Sequence, residues 1–144
     1  RGVSPFQLIN PILLSDTPEK AQRYRVEPYV VAADVHSTAP HTGRGGWTWY
    51  TGSAGWMYRL GLEAILGLRR AGEILSFQPC IPRDWPAFSL RYRFGSSSYQ
   101  IQVNNANGAG KGVQEVHLDG ELLAGSEVQL RDDGLPHQIV VRLR

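Results

Sequence analysis

The spacing of apolar residues changes character at Gly72, which limits this 144-residue chain to folds that place helices first and a sheet of short strands afterwards. Ahead of that point, Asp16-Thr17-Pro18-Glu19 supplies a capping side chain, a proline suited to a first turn and an acidic residue at the positive helix end. A helix through about Val26 is predicted. Glu27-Pro28 opens a second segment in which Tyr29, Val30, Val31, Ala33 and Val35 read as a buried helix ending near Ser37, with a strand as competitor because of the β-branched residues. Ser53 is placed to cap a third helix, whose apolar positions Trp56, Met57, Leu60, Leu62, Ala64, Ile65 and Leu66 leave few polar faces. Gly67 falls near its end, and Arg69 and Arg70 suit a helix C-terminus.

Beyond Gly72 the period is two. Glu73 to Gln78 reads as a strand, followed by an irregular crossing from Cys80 to Pro86 that Pro79, Pro82 and Pro86 keep out of any central strand. Phe88, Leu90, Tyr92 and Phe94 alternate with polar residues up to Gly95-Ser96-Ser97, and Tyr99, Ile101 and Val103 continue the alternation, which is a hairpin pattern. Three more strands are expected at Val113 to Leu118, about Ser126 to Leu130, and His137 to Leu143, while Asn104 to Gly112 reads as a plain glycine-rich connection. The expected fold class is α+β, with a helical segment over 1–71 and an antiparallel sandwich or jelly roll over 72–144.

A net charge of +2 with scattered basic residues names neither nucleic acid nor a membrane surface as partner. The single cysteine, Cys80, allows no internal disulfide, and without a CxxC pair a structural zinc site is not expected. Nothing in the pattern calls for a cofactor. No stretch approaches the roughly 20 apolar residues of a membrane span, so the chain as it stands is expected to be soluble. Its Arg-Gly-Val start reads as part of something longer.

Functional interest concentrates in Gly43 to Arg59, which joins a glycine-rich aromatic loop to an apolar helix. Freed backbone amides at a helix start bind oxyanions, and flat aromatic rings cover the apolar faces of sugars. Trp47, Trp49 and Tyr50 are the candidate sugar contacts; Arg44 is the candidate anion ligand, because a guanidinium binds oxyanions in a bidentate way. His36 and His41 flank the loop. Of the nearby carboxylates, Glu27 reads as a helix start, Asp34 as a surface group and Glu63 as a partner of Arg59 four residues before it. Gly43-x-Gly45 is neither a dinucleotide fingerprint nor a phosphate loop, since strand and lysine are missing.

The order Glu27-Pro28-Tyr29-Val30, then Trp49-Tyr50-Thr51-Gly52-Ser53-Ala54-Gly55-Trp56, then Ile65-Leu66-Gly67-Leu68 and the Pro79 to Trp85 crossing resembles the C-terminal end of glycoside hydrolase family 94, the inverting β-glucoside phosphorylases. The run from Tyr24 to Arg59 is more similar still to the phosphorylase-like region of cyclic β-1,2-glucan synthases. The resemblance implies that the helical segment closes an (α/α)6 barrel supplied mainly by upstream sequence, with the β-rich part as its cap. It also implies phosphate contact by Thr51 and Gly52. Ala32-Ala33-Asp34 stands where the family has a glutamine, and the family's general-acid aspartate and phosphate-binding histidine would lie upstream.

In inverting phosphorolysis one protonated carboxyl serves the leaving oxygen while phosphate attacks from the opposite face. With that acid outside the segment, no catalytic residue is assigned here, and the chain is expected to be inactive alone. The expected partners are β-glucan or oligosaccharide, inorganic phosphate and the upstream barrel, with a homodimer through exposed helices as a further expectation. The parent would associate with an inner membrane with this region cytoplasmic. The competing reading is a noncatalytic carbohydrate-binding or structural β-sandwich, which would display coplanar aromatics on one exposed face.

Overall fold

The computed structural model describes residues 16–27, 30–49 and 51–144, which form two units divided between Tyr58 and Arg59. In the first unit, helix α1 (Pro18–Tyr24) begins as its sequence dictates: Thr17 Oγ1 accepts from the Lys20 amide at 3.3 Å, Pro18 occupies the first turn and Glu19 faces the positive end. It stops before Val26 because Arg25 turns left-handed (φ 52°) and returns its amide to Ala21 O at 2.9 Å. No helix forms over 30–37. That stretch is extended instead, with Val35 bridged to Gly45, so the β-branched residues express their strand preference once a partner segment lies beside them. Helix α2 spans Thr51–Arg59. Ser53 therefore lies inside it and does not cap it; its hydroxyl donates to Val31 O at 3.2 Å.

In the second unit, a π-helical segment (Leu60–Ile65) ends with the Leu66 amide on Gly61 O. The helical run ends near Gly67 as expected, but Arg69 and Arg70 do not sit at a helix C-terminus. Gly67 takes φ 72° with its Cα against the backbone of Gln78, and its carbonyl accepts the Gln78 amide at 2.7 Å. Any side chain at 67 would collide with that backbone, so the chain reverses there and Arg69 and Arg70 enter strand β1 (Leu68–Ala71). Strand β2 (Ile74–Phe77) pairs antiparallel with β1, Leu68 opposite Phe77.

The predicted hairpin is present as β3 (Ala87–Phe94) and β4 (Ser97–Asn104), with Tyr92 opposite Tyr99 and Leu90 opposite Ile101. Its two-residue loop has Gly95 at φ 58°. Strands β5 (Val113–Leu118), β6 (Glu121–Leu122), β7 (Glu127–Gln129) and β8 (Pro136–Leu143) follow. They complete a three-stranded sheet, β1-β2-β7, and a five-stranded sheet, β3-β4-β8-β5-β6. The expectation of a wholly antiparallel sheet needs one correction, because β8 runs parallel to β4 after the long excursion through β5 to β7. Leu75, Phe77 and Val128 from the small sheet share one buried core with Ile101, Val103, Val116, Ile139 and Val141 from the large one. The unit is thus α+β with two packed sheets.

Two polar clusters hold its loops. Asn105, 2 % exposed, accepts the Gly110 amide at 2.9 Å and donates to Trp85 O at 2.7 Å, so the Asn104 to Gly112 connection is anchored to the Pro79 to Pro86 crossing. His137 stacks on Tyr99, with Nδ1 2.7 Å from Asp119 Oδ2 and Nε2 3.1 Å from Asp133 Oδ1. Both ring nitrogens face carboxylates, an arrangement satisfied by the doubly protonated imidazolium. The Asp119 contact foremost, then Asp133, raises the pKa of His137 against the effect of burial. Asp133 is lowered to about 2 by the Leu135 amide and by His137. Among the described residues no helix is long and apolar enough to cross a membrane.

Candidate functional site

The loop that carries the candidate residues is a narrow hairpin. Ala33 N donates to Trp47 O at 2.9 Å, Gly46 N to Asp34 O at 2.9 Å, His36 N to Arg44 O at 2.9 Å and Gly43 N to His36 O at 2.7 Å. The Gly45 amide donates to Tyr24 O at 2.8 Å, which docks the hairpin on the end of α1. Glycine is needed at that contact, because a Cβ on Gly45 would run into the Val26 side chain and come within 3.2 Å of Tyr24 O. Gly46 is needed for a different reason: its bare Cα faces the Asp34 carboxylate, whose Oδ1 accepts the Trp47 amide at 3.1 Å. Asp34 is therefore an exposed group that shapes the loop.

This hairpin presents Trp47 and Trp49 with 70 % and 59 % of their surfaces exposed. Trp49 sits at φ 64°, a left-handed conformation that bulky residues rarely adopt, and its indole N–H donates to Glu27 Oε1 at 3.3 Å. Glu27 thus orients an aromatic ring and does not start a helix. Glu63 pairs with Arg59 at 3.0 Å as its spacing suggests, on an exposed surface where such pairs contribute little. His36 and His41 meet edge to face, 5.9 Å between ring centroids.

Helix α2 opens at Thr51, and first-turn amides, which lie ahead of any intrahelical carbonyl, are the ordinary source of anion affinity at a helix start. Gly52 lies in that turn. Among the described residues a Cβ there would meet only Trp56 Cδ1, at 3.8 Å, so none of them requires glycine by packing, and the backbone is not left-handed. In the middle of a helix a glycine costs roughly 0.5–1 kcal/mol relative to alanine, and in the first turn the same preference acts more weakly. Tyr50 and the side chain of Thr51 lie outside the described residues.

Arg44 lines a concavity of about 240 Å³ together with Arg23, Arg25, Gln22, His41 and Thr42; its described lining does not include Gly52. Arg23 and Arg25 were not legible as site residues in the sequence, because only the docking of the hairpin on α1 brings them beside Arg44. The one available signal was the basic pair flanking Tyr24 at the end of a well-capped helix.

Residues 1–67 match the family model of the glycosyl hydrolase 94 superfamily, catalytic domain. The chain is 45 % identical over 112 residues to the cyclic beta-(1,2)-glucan synthase NdvB of Rhizobium meliloti, an alignment covering 78 % of this chain and 4 % of that protein. It is 32 % identical over 145 residues to the N,N'-diacetylchitobiose phosphorylase of Vibrio proteolyticus, covering 99 % and 18 %. With the solabiose phosphorylase of Paenibacillus borealis the identity is 29 % over 142 residues, covering 98 % and 18 %. The chain therefore spans less than a fifth of the length of each of these relatives.

Proposed function

We propose that this chain, whose residues 1–67 match the glycosyl hydrolase 94 superfamily, supplies the phosphate and sugar contacts at the C-terminal end of a cyclic β-1,2-glucan synthase or an inverting β-glucoside phosphorylase. In this reading residues 1–71 are the last helices of an (α/α)6 barrel and 72–144 its cap. Thr51 and Gly52 hold a phosphate oxygen at the start of α2, and Trp47, Trp49 and Tyr50 wall the sugar. The general acid and a phosphate-binding histidine come from the upstream barrel, so the chain binds ligand without turning it over. The parent is inner-membrane-associated, with this region on the cytoplasmic side.

The observation that carries the reading is Gly52. It stands at a helix start, beside exposed tryptophans, in a position where helix propensity favours alanine and no described neighbour demands glycine. Room beside the first-turn amides of a helix is what an incoming phosphate oxygen needs. The competing sandwich-lectin reading loses support from the sheets: Phe88, Leu90, Tyr92 and Phe94 pack against the core, and Trp85 is the one large aromatic exposed among the described residues of 59–144.

Two experiments test the proposal. Short β-1,2-glucan oligomers are expected to quench and shift the emission of Trp47 and Trp49, and Trp47→Ala with Trp49→Ala should abolish the response. Oligomer binding that survives the double substitution would transfer the sugar site elsewhere. Trp56 and Tyr58 are also exposed on α2, and self-association through this apolar surface should appear as a concentration-dependent mass in light scattering. A dilution-independent monomer would rule it out.

A further inference from the structure

The pocket lined by Arg44 has a composition that the role of Thr51 and Gly52 does not explain. Three arginines line it, with His41 beside them and no aspartate or glutamate among its described lining residues. The ion pairs formed among the described residues, such as Lys20–Asp16 and Arg59–Glu63, involve none of the three. Three like charges drawn to one concavity repel one another, and an arrangement of this kind is relieved by an anion.

Each arginine is placed by a specific backbone feature. Arg25 occupies the left-handed residue that ends α1, and its Nε donates to Gln22 O at 3.0 Å, which fixes the guanidinium plane while leaving both terminal nitrogens available. Arg23 passes under Gly43, where φ is 85° and a Cβ would lie 2.6 Å from Arg23 Cδ. Glycine at 43 therefore gives the Arg23 stem its path. Arg44 follows directly, held by its amide on His41 O at 2.9 Å and its carbonyl under the His36 amide.

We propose that Arg23, Arg25 and Arg44 form a second anion site that takes a phosphoryl dianion, either inorganic phosphate or the head of a monosaccharide phosphate. Planar guanidinium forks match tetrahedral oxyanions in a bidentate way, which a lone ammonium cannot do. The volume corresponds to about eight waters at ~30 Å³ each, enough for a phosphoryl group and a small substituent and below the roughly 300–1,000 Å³ of a drug-sized ligand site. Thr42 and His41 add further hydrogen-bonding groups to the lining. The site stands independently of the phosphate role proposed for Thr51 and Gly52.

Titration of the 144-residue chain with inorganic phosphate, followed by amide chemical shifts and calorimetry against chloride at equal ionic strength, tests this. Phosphate is expected to move the amides of Gln22 to Arg25 and His41 to Arg44. Arg23→Gln and Arg44→Gln should each weaken that binding by about tenfold or more, the loss of one charge-assisted hydrogen-bonding group, while Thr51→Ala leaves these shifts in place. Arg44→Gln lies on an exposed loop and keeps the test open if Arg23→Gln disturbs α1. Glucose 6-phosphate binding more tightly than phosphate assigns the esterified source; the reverse order assigns the free ion. Shifts confined to 51–53 would overturn the second site and leave the Thr51 and Gly52 reading standing. Shifts reproduced by chloride, or unchanged in both glutamine variants with native circular dichroism, would also overturn it.

Discussion

Replacing Asn105 with alanine should cost the β-rich unit more than any change to its exposed loops, although Asn105 lies in a segment that reads as a plain connection. Its side chain is 2 % exposed and satisfies two backbone groups, the Gly110 amide at 2.9 Å and Trp85 O at 2.7 Å, with Arg83 O a third and longer contact at 3.5 Å. A buried backbone group left without a partner costs about 1–3 kcal/mol, so two of them set the loss at roughly 2–5 kcal/mol once some relaxation toward water is allowed. For a unit of this size each kcal/mol moves the midpoint by roughly 4–8 °C, so a loss near 3 kcal/mol lowers Tm by about 12–24 °C. Thermal unfolding followed by far-ultraviolet circular dichroism reads this directly. Asn105→Asp sharpens the test, because it keeps the acceptor for Gly110 but sets a carboxylate oxygen against Trp85 O in place of the donating amide. It should be at least as damaging as alanine at pH 7 and recover part of the loss on acidification. An alanine variant within about 0.5 kcal/mol of wild type, the usual range of a surface substitution, would refute the reasoning.

Other consequences concern pH and the glycine hairpin. His137 has a raised folded pKa, so the stability it contributes is fully present below 6.5 and is lost as pH rises through the folded value. Asp133, lowered from 3.8 to about 2, contributes stability that is present above 3.8 and lost as pH falls through about 2. Urea midpoints should therefore be highest between about pH 4 and 6.5, and His137→Gln should flatten the alkaline arm and also weaken the acid arm, because His137 helps hold Asp133 low; an unchanged alkaline arm would discount the Asp119–His137–Asp133 cluster. Gly45→Ala forces a Cβ into Val26 and Tyr24 and should cost about 1–3 kcal/mol, read as faster amide exchange across 33–47. Gly55→Ala, with no described atom within 4 Å, should instead stabilise α2 by roughly 0.5–1 kcal/mol, and a loss there would contradict the helix geometry.

What could be read from the sequence was whatever local chemistry decides. Thr17-Pro18-Glu19 caps a helix within four residues, and the alternation on either side of Gly95 fixes both faces of a hairpin whose register its own turn sets. Local reading failed where a distant segment decides. Val30 to Ser37 shows mostly apolar residues that suit a helix or a strand, and only the returning Gly43 to Trp47 limb selects the extended form. Arg69 and Arg70 suit a helix end until Gln78 is seen to claim the carbonyl of Gly67. The same division holds in the candidate site. Exposed tryptophans beside glycines were visible as a pattern, whereas the convergence of Arg23, Arg25 and Arg44 exists only after the hairpin docks on α1. Asp119 and Asp133 read as turn formers, and their closure on His137 joins residues 18 and 4 positions away.

The most direct test of the central claim compares Gly52→Ala with wild type in two titrations, one thermal and one with inorganic phosphate. If Gly52 is kept for a ligand and not for the fold, the alanine variant should melt no lower than wild type, because helix propensity favours it and its Cβ has room, yet bind phosphate at the start of α2 about tenfold more weakly or worse. Wild-type phosphate affinity at that helix start in the alanine variant, or no phosphate response of the 51–53 amides in the wild type, would contradict the account.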